Sequence, residues 1–289
     1  MTASAFTKKP FPARNVDSCN SGRGFLKRTP MENTTNYKLT ISYDGTGFQG
    51  WQKLSAGKEN TVQGRLEAVA SKLNGFDTTV TGAGRTDAGV HALGQVANVR
   101  IRDGIGPGEI KDYFNRYLPV TIVINGCEPV SDRFNARLSA KAKTYDYYFT
   151  ADRKVSPFER KYVYRYPKET DVAEMAEACR LLEGTYDFRG FASAVPKKKN
   201  TVRTITEASV SPFRGIGVFT DEAGELMRIR LTGDGFLYNQ VRIIAGTLLE
   251  IGSGSMRIDD IKTVIETCDR SKAGFTAPPQ GLFLVKVYY

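Results

Sequence analysis

The segment Gly82 to Val96, GAGRTDAGVHALGQV, constrains this chain most, because its glycines at 82, 84 and 89 argue against a helix or a regular strand. It also carries an arginine, a carboxylate and the single histidine of the sequence, His91. Glycine adopts positive φ angles and lets backbone approach a ligand closely, so the expectation is a tight loop between strands that displays Asp87 instead of packing it in a core. Arg85 stands two residues away. Its guanidinium is expected to favour the ionised carboxylate and lower its pKa, which suits a nucleophile or base. On the dipeptide alone, a structural ion pair in a glycine-rich hairpin is the simpler reading.

The nonapeptide GRTDAGVHA, Gly84 to Ala92, changes that balance. It resembles the catalytic-aspartate motif of the TruA-type tRNA pseudouridine synthases. Further segments are similar to that family and occur in family order: YDGTGFQGWQ at Tyr43 to Gln52, FNARLSAKAKTYDY at Phe134 to Tyr147, KNTVRTI at Lys199 to Ile205, GFLYNQVRIIAGTLLEIG at Gly235 to Gly252, and AGFTAPPQGLFLVKVYY at Ala273 to Tyr289. The pattern departs from the family at Asn135 (commonly histidine), at Gln240 (commonly methionine) and in the stretch before Met31.

The resemblance implies an enzyme that isomerises uridine to pseudouridine in tRNA, at positions 38 to 40 of the anticodon arm, with neither cofactor nor metal. Related branches act elsewhere on tRNA. It implies Asp87 as the catalytic aspartate, Arg85 as the arginine that helps extrude the target nucleotide, Arg242 as the partner of the catalytic carboxylate, and Tyr145 as the ring that stacks on the flipped base and relays a proton. It further implies a cytoplasmic homodimer gripping one tRNA. The sequence leaves open whether Asp87 acts on uracil C6, on ribose C1′ or on the 2′ proton. His91 is expected to have a structural role in its loop.

Composition agrees without adding a function of its own. A 289-residue chain that is 40% hydrophobic can bury a substantial core, and its length fits about two lobes. No apolar run approaches the roughly 20 residues needed to span a bilayer. Cys19, Cys127, Cys179 and Cys268 lie far apart, as expected of reduced thiols in a cytosolic protein, and with one histidine they make a zinc site hard to build.

The formal charge of +10 divides unevenly. Residues 1–30 hold Lys8, Lys9, Arg14, Arg23, Lys27 and Arg28 against Asp17, or +5, which leaves 10 − 5 = +5 for the rest. Basic clusters follow at Arg133, Arg137, Lys141 and Lys143, at Arg153, Lys154, Arg160 and Lys161, and at Lys197 to Lys199 with Arg203. Each alone reads as a solvated face; gathered around a cleft they would suit an RNA backbone. Residues 1–34 lack hydrophobic periodicity and read as a disordered basic extension, either a plain extension, a mis-assigned start upstream of Met31, or an organellar transit peptide.

Alternation in YKLTISY from Tyr37 predicts a half-buried strand, and Val62, Leu66, Val69 and Leu73 mark one face of a helix. Further helices are predicted around Ile110 to Tyr117, Val172 to Leu182, Leu237 to Ile251 and Asp259 to Thr267. Strands are predicted at Thr121 to Gly126, Thr144 to Thr150, Val202 to Val210, Leu226 to Thr232 and Leu282 to Tyr288. Without strict βαβ alternation this is an α+β fold: helices flanking a mixed, largely antiparallel sheet, with lobes at 35–136 and 137–289 and a catalytic cleft between them. The echo of YDGTGF (ending at Phe48) in TGDGF (ending at Phe236) hints at two similar halves.

Two rival classes remain in view. Gly45 to Gly50 spells GxGxxG after a predicted strand, but a dinucleotide loop must open a helix directly, and here the helix starts about ten residues late. A non-catalytic RNA-binding module fits the basic clusters and the tyrosines, yet leaves the Arg85 and Asp87 loop without a purpose.

Overall fold

In a computed structural model the described residues are 33–53, 60–151, 155–193, 200–213 and 226–289. The expected extension therefore lies, up to residue 32, outside them, as do Arg153, Lys154 and Lys197 to Lys199.

Ten strands and five α-helices form among the described residues. β1 (Thr34–Tyr43) begins three residues ahead of the expected Tyr37 and buries Tyr37, Leu39, Ile41 and Tyr43 on one face, as its alternation requires. α1 (Val62–Asn74) starts where the Thr61 side chain accepts from the Gly64 N–H and ends at Gly75 in the left-handed conformation. It presents Val62, Leu66, Val69 and Leu73 to the core. β2 (Val80–Gly82) and β3 (His91–Arg102) pair antiparallel, followed by α2 (Pro107–Tyr117) and β4 (Ile122–Pro129).

The second half of the chain contributes β5 (Ala142–Thr150), β6 (Tyr164–Arg165), α3 (Val172–Leu182), β7 (Gly184–Asp187), β8 (Val202–Phe213), β9 (Leu226–Gly233), α4 (Gln240–Gly252), α5 (Asp260–Thr267) and β10 (Leu282–Tyr288). All ten strands belong to one sheet with the order β4-β1-β3-β10-β5-β9-β8-β7, to which β2 adds through β3 and β6 through β5. Pairing is antiparallel except for β3 with β10 and β5 with β6, which gives the mixed, largely antiparallel α+β fold. The C-terminal strand lies at the centre. It joins β3 of the first half to β5 of the second, and meets β3 in register at Phe283 with His91 and Leu284 with Ala92. No helix among the described residues is long and apolar enough to cross a membrane.

The structure corrects the reading of the glycine-rich segment. Its second half is strand, since β3 begins at His91. Gly89 alone of the three cited glycines has positive φ, at 77°. A Cβ on Gly82 would run into the Trp51 ring, and one on Gly84 would crowd the Lys143 side chain, so these two serve close packing instead of a left-handed turn. α4 also starts at Gln240 and not Leu237. Asn239 takes φ 61°, which breaks the helical path, and the Leu237 N–H is held by the Gln240 side-chain carbonyl at 2.7 Å.

Candidate active site

Residues 83–90 connect β2 to β3 and are pinned from both sides. Backbone bonds tie Trp51 N–H to the Thr86 carbonyl (3.0 Å) and Gly89 N–H to that of Phe48 (3.3 Å). The Tyr43 hydroxyl meets Thr86 Oγ1 at 2.8 Å, and Gln95 Nε2 donates to the Gly84 carbonyl at 2.9 Å. The YDGTGFQGWQ segment is thus a platform for the Asp87 loop. Two glycines of its GxGxxG spelling have a packing cause: Gly45 opens a single 3-10 turn, where a Cβ would strike the Val90 carbonyl, and a Cβ on Gly50 would strike that of Thr86. Among the described residues the next helix is α1, at Val62, which leaves the loop without a helix N-terminus there to offer a pyrophosphate.

His91 completes this platform. It is fully buried, stacks on Phe283 with centroids 4.6 Å apart, and accepts the Gly45 N–H at Nδ1 (3.0 Å). That assigns the proton to Nε2, which lies 3.1 Å from the Lys161 carbonyl. Burial pushes its pKa below the usual imidazole value, against the pull of nearby Asp44.

Asp87 projects into a cleft of about 450 Å³ whose walls include Trp51, Arg85, Lys143, Tyr145, Phe236 and Arg242. Arg242 Nη1 donates to Asp87 Oδ2 at 3.3 Å; the two side chains are 16% and 24% exposed. The guanidinium is held besides by the Ala277 carbonyl at Nε (2.7 Å) and by Asn239 Oδ1 at Nη1 (3.0 Å). Tyr145 is buried, with its ring edge-on to Phe236 at 5.2 Å. Arg85 is exposed on the same loop.

The electrostatics differ from the expectation for Arg85. Burial raises the Asp87 pKa above the ordinary carboxylate value, and the cation that opposes it is Arg242, not Arg85. A raised pKa makes the ionised form a stronger base and nucleophile. Burial, with Tyr43 and Asp87 nearby, pushes the Tyr145 hydroxyl well up, so it stays protonated at neutral pH and can stack or donate but not serve as a phenolate base. Tyr43 is pushed up to about 12, first by burial.

The structure also sorts the basic clusters. Arg137 and Lys143 reach the cleft, and Lys143 is pushed down by burial and by the charges of Arg137 and Arg203. Arg137 and Lys143, with Arg85, gather three cations around one cleft, a place suited to phosphate. Arg160 instead bonds the Pro157 carbonyl. Gln240, a departure noted in the sequence, is fully buried, and its Nε2 has no hydrogen-bond partner among the described residues. No group of three metal-ligating side chains occurs among the described residues. Sequence reasoning missed Asn239; a lone asparagine between two larger motif residues carries no signal of its own.

The mixed sheet thus brings a carboxylate and an arginine from distant segments together in a cleft that also holds Arg85, Arg137 and Lys143. A profile of the tRNA pseudouridine synthase family matches residues 39–137 and 178–289, and the chain belongs to that family, a class of isomerases. It is 45% identical over 249 residues to tRNA pseudouridine synthase A of Bacillus sp. (strain KSM-64), covering 86% of this chain and 97% of the relative. It is 42% identical over 254 residues to tRNA pseudouridine synthase A 2 of Bacillus anthracis (88% and 99% covered) and 43% identical over 255 residues to tRNA pseudouridine synthase A of Acetivibrio thermocellus (88% and 99%).

Proposed function

We propose that this enzyme converts uridine to pseudouridine at positions 38 to 40 of the tRNA anticodon stem-loop, with Asp87 as its catalytic aspartate. The observation that carries the reading is the Arg242 to Asp87 contact at 3.3 Å beside the buried Tyr145, made by residues that the sequence separates by 155 positions. The reaction breaks the C1′–N1 bond, turns the uracil and forms a C1′–C5 bond; C5 loses a proton and N1 gains one, without redox change. Whether Asp87 adds to C6, adds to C1′ or removes the 2′ proton, the first step needs its ionised form, which Arg242 favours against burial.

A paired base cannot reach a carboxylate in such a cleft, so the nucleotide must be flipped out, at a cost on the order of a few kcal/mol. Arg85, exposed at the rim, is suited to fill the gap. Tyr145 is suited to stack on the extruded base. Arg137 and Lys143 would take the phosphates. The proposal includes two lobes, a homodimer that grips one tRNA, and a cytoplasmic site of action.

The test is to incubate the purified protein with tRNA transcripts and sequence the pseudouridines formed. Modification confined to positions 38 to 40 is the expected result. Modification at other tRNA positions would assign it to another branch, and none at all would remove the proposal.

A further inference from the structure

Asn239 is built at a cost that its own fold position does not explain. It precedes α4 as the N-cap, with φ 61° and ψ 5°, one of two non-glycine residues with positive φ among the described residues. Asparagine tolerates that region better than most residues, but glycine adopts it freely. An N-cap asparagine ordinarily accepts a backbone N–H of the first turn, a bond that stabilises the helix. Here no such bond forms.

The side chain is spent elsewhere. Its Oδ1 accepts from Arg242 Nη1 at 3.0 Å, closer than the 3.3 Å from the same nitrogen to Asp87. Its Nδ2 donates to Ser193 Oγ at 3.2 Å, and the Ser193 N–H donates to the Tyr238 carbonyl at 3.1 Å, so the amide is anchored at its far end. Residues 239 and 242 are one helical turn apart and face each other. With the Ala277 carbonyl on Nε, the guanidinium is fixed by two neutral oxygens before it meets the carboxylate.

We propose that Asn239 is a positioning residue: it holds the Arg242 guanidinium at the angle from which Nη1 reaches Asp87. The inference rests on the reading of Asp87 as the catalytic aspartate. Without Asn239, Nη1 loses its nearer acceptor, the arginine can turn about its remaining bond to Ala277, and Asp87 loses its one ion partner. The ionisable groups around Asp87 are Arg242 from α4, Tyr145 from β5 backed by Tyr43 from β1, Lys143 from β5, Arg137 and Tyr238 at the same cleft, and Arg85 in its own loop.

The test compares wild type, Asn239→Gly, Asn239→Asp and Asp87→Asn in single-turnover pseudouridine formation at saturating tRNA across pH, with tRNA affinity and melting temperature measured alongside. Asn239→Gly keeps the backbone conformation and removes the amide. It is expected to slow the single-turnover rate at least about tenfold and to move its acid limb to higher pH, with tRNA affinity changed less than about twofold. Asn239→Asp keeps an acceptor oxygen and the backbone but adds a carboxylate that competes for Nη1, so its acid limb should move further up. An Asn239→Gly enzyme with the wild-type rate and acid limb, next to an inactive Asp87→Asn, would overturn the positioning role alone. An active Asp87→Asn would overturn the reading beneath it. Should Asn239→Gly fail to fold, an Asn239→Asp enzyme with an unmoved acid limb overturns the proposal equally.

Discussion

Asp87 and Asp146 each meet one arginine, and the two pairs are built differently. Asp146, on β5 beside Tyr145, receives Arg230 Nε at 2.7 Å and Nη2 at 2.8 Å, one on each oxygen, and the Tyr148 hydroxyl at 3.1 Å. Its side chain is 2% exposed. Asp87 receives a single bond at 3.3 Å, and its Oδ1 takes no hydrogen bond among the described residues. A forked pair with every oxygen occupied has nothing left with which to react. A carboxylate held at one oxygen, with its pKa raised by burial, keeps the other for a substrate. The difference separates an ion pair that joins two strands from one that leaves a carboxylate oxygen facing a cleft, although both are Asp–Arg contacts.

Exchanging the two arginines for methionine sharpens that contrast most. Arg242→Met should cut single-turnover pseudouridine formation by about 10²- to 10³-fold and leave the melting temperature nearly unchanged. Arg230→Met should do the reverse, costing about 3 kcal/mol of stability by leaving Asp146 buried and unpaired, while the folded fraction keeps its rate. Equal losses of both quantities in both variants would erase the distinction. Tyr145→Phe comes next: it keeps the ring and loses a hydroxyl held protonated, so the rate should fall about tenfold, as for one lost hydrogen bond. An unchanged rate would limit Tyr145 to stacking.

The smallest effect concerns pH. His91 has a folded pKa below its unfolded value of about 6.5, so the unfolded chain binds the proton first and stability is lost as pH falls through that value. The melting temperature should drop on acidification from pH 7 to pH 5, and part of that drop should vanish in His91→Gln. Activity has its own acid limb. Because the Asp87 pKa is raised, the rate should begin to fall at a pH above the ordinary carboxylate range, and Arg242→Met should move that limb higher still.

Much of the framework could be read in the sequence because half-buried surfaces write periodicity into it. Tyr37 to Tyr43 alternates, the α1 stripe repeats every three or four residues, and the predicted strand Leu282 to Tyr288 is β10. What escaped reading depends on partners far along the chain. His91 to Val96 looks like loop until β1 pairs with it on one side and β10 meets its first two residues on the other, and Gly94 gives no turn because its task is to admit the Val285 carbonyl. The short β6 and β7 carry too few residues to show a period. Arg242 was tied to Asp87 through the family resemblance and not through any pattern in the chain. The sign of the Asp87 pKa shift could not be read at all: Arg85 is the neighbour in sequence, but burial and Arg242 set the balance in space.

Of these two aspartates only Asp87 is expected to react. Asp87→Asn and Asp146→Asn, assayed side by side for single-turnover pseudouridine formation, tRNA affinity and melting temperature, test that expectation most directly. Asp87→Asn should bind tRNA nearly as wild type does and form less than about one per cent of the pseudouridine, since it removes the reactive group but hardly alters shape or the phosphate contacts. Asp146→Asn should melt earlier but retain its rate when folded. An Asp87→Asn enzyme that binds tRNA and still turns it over above that level would contradict the account.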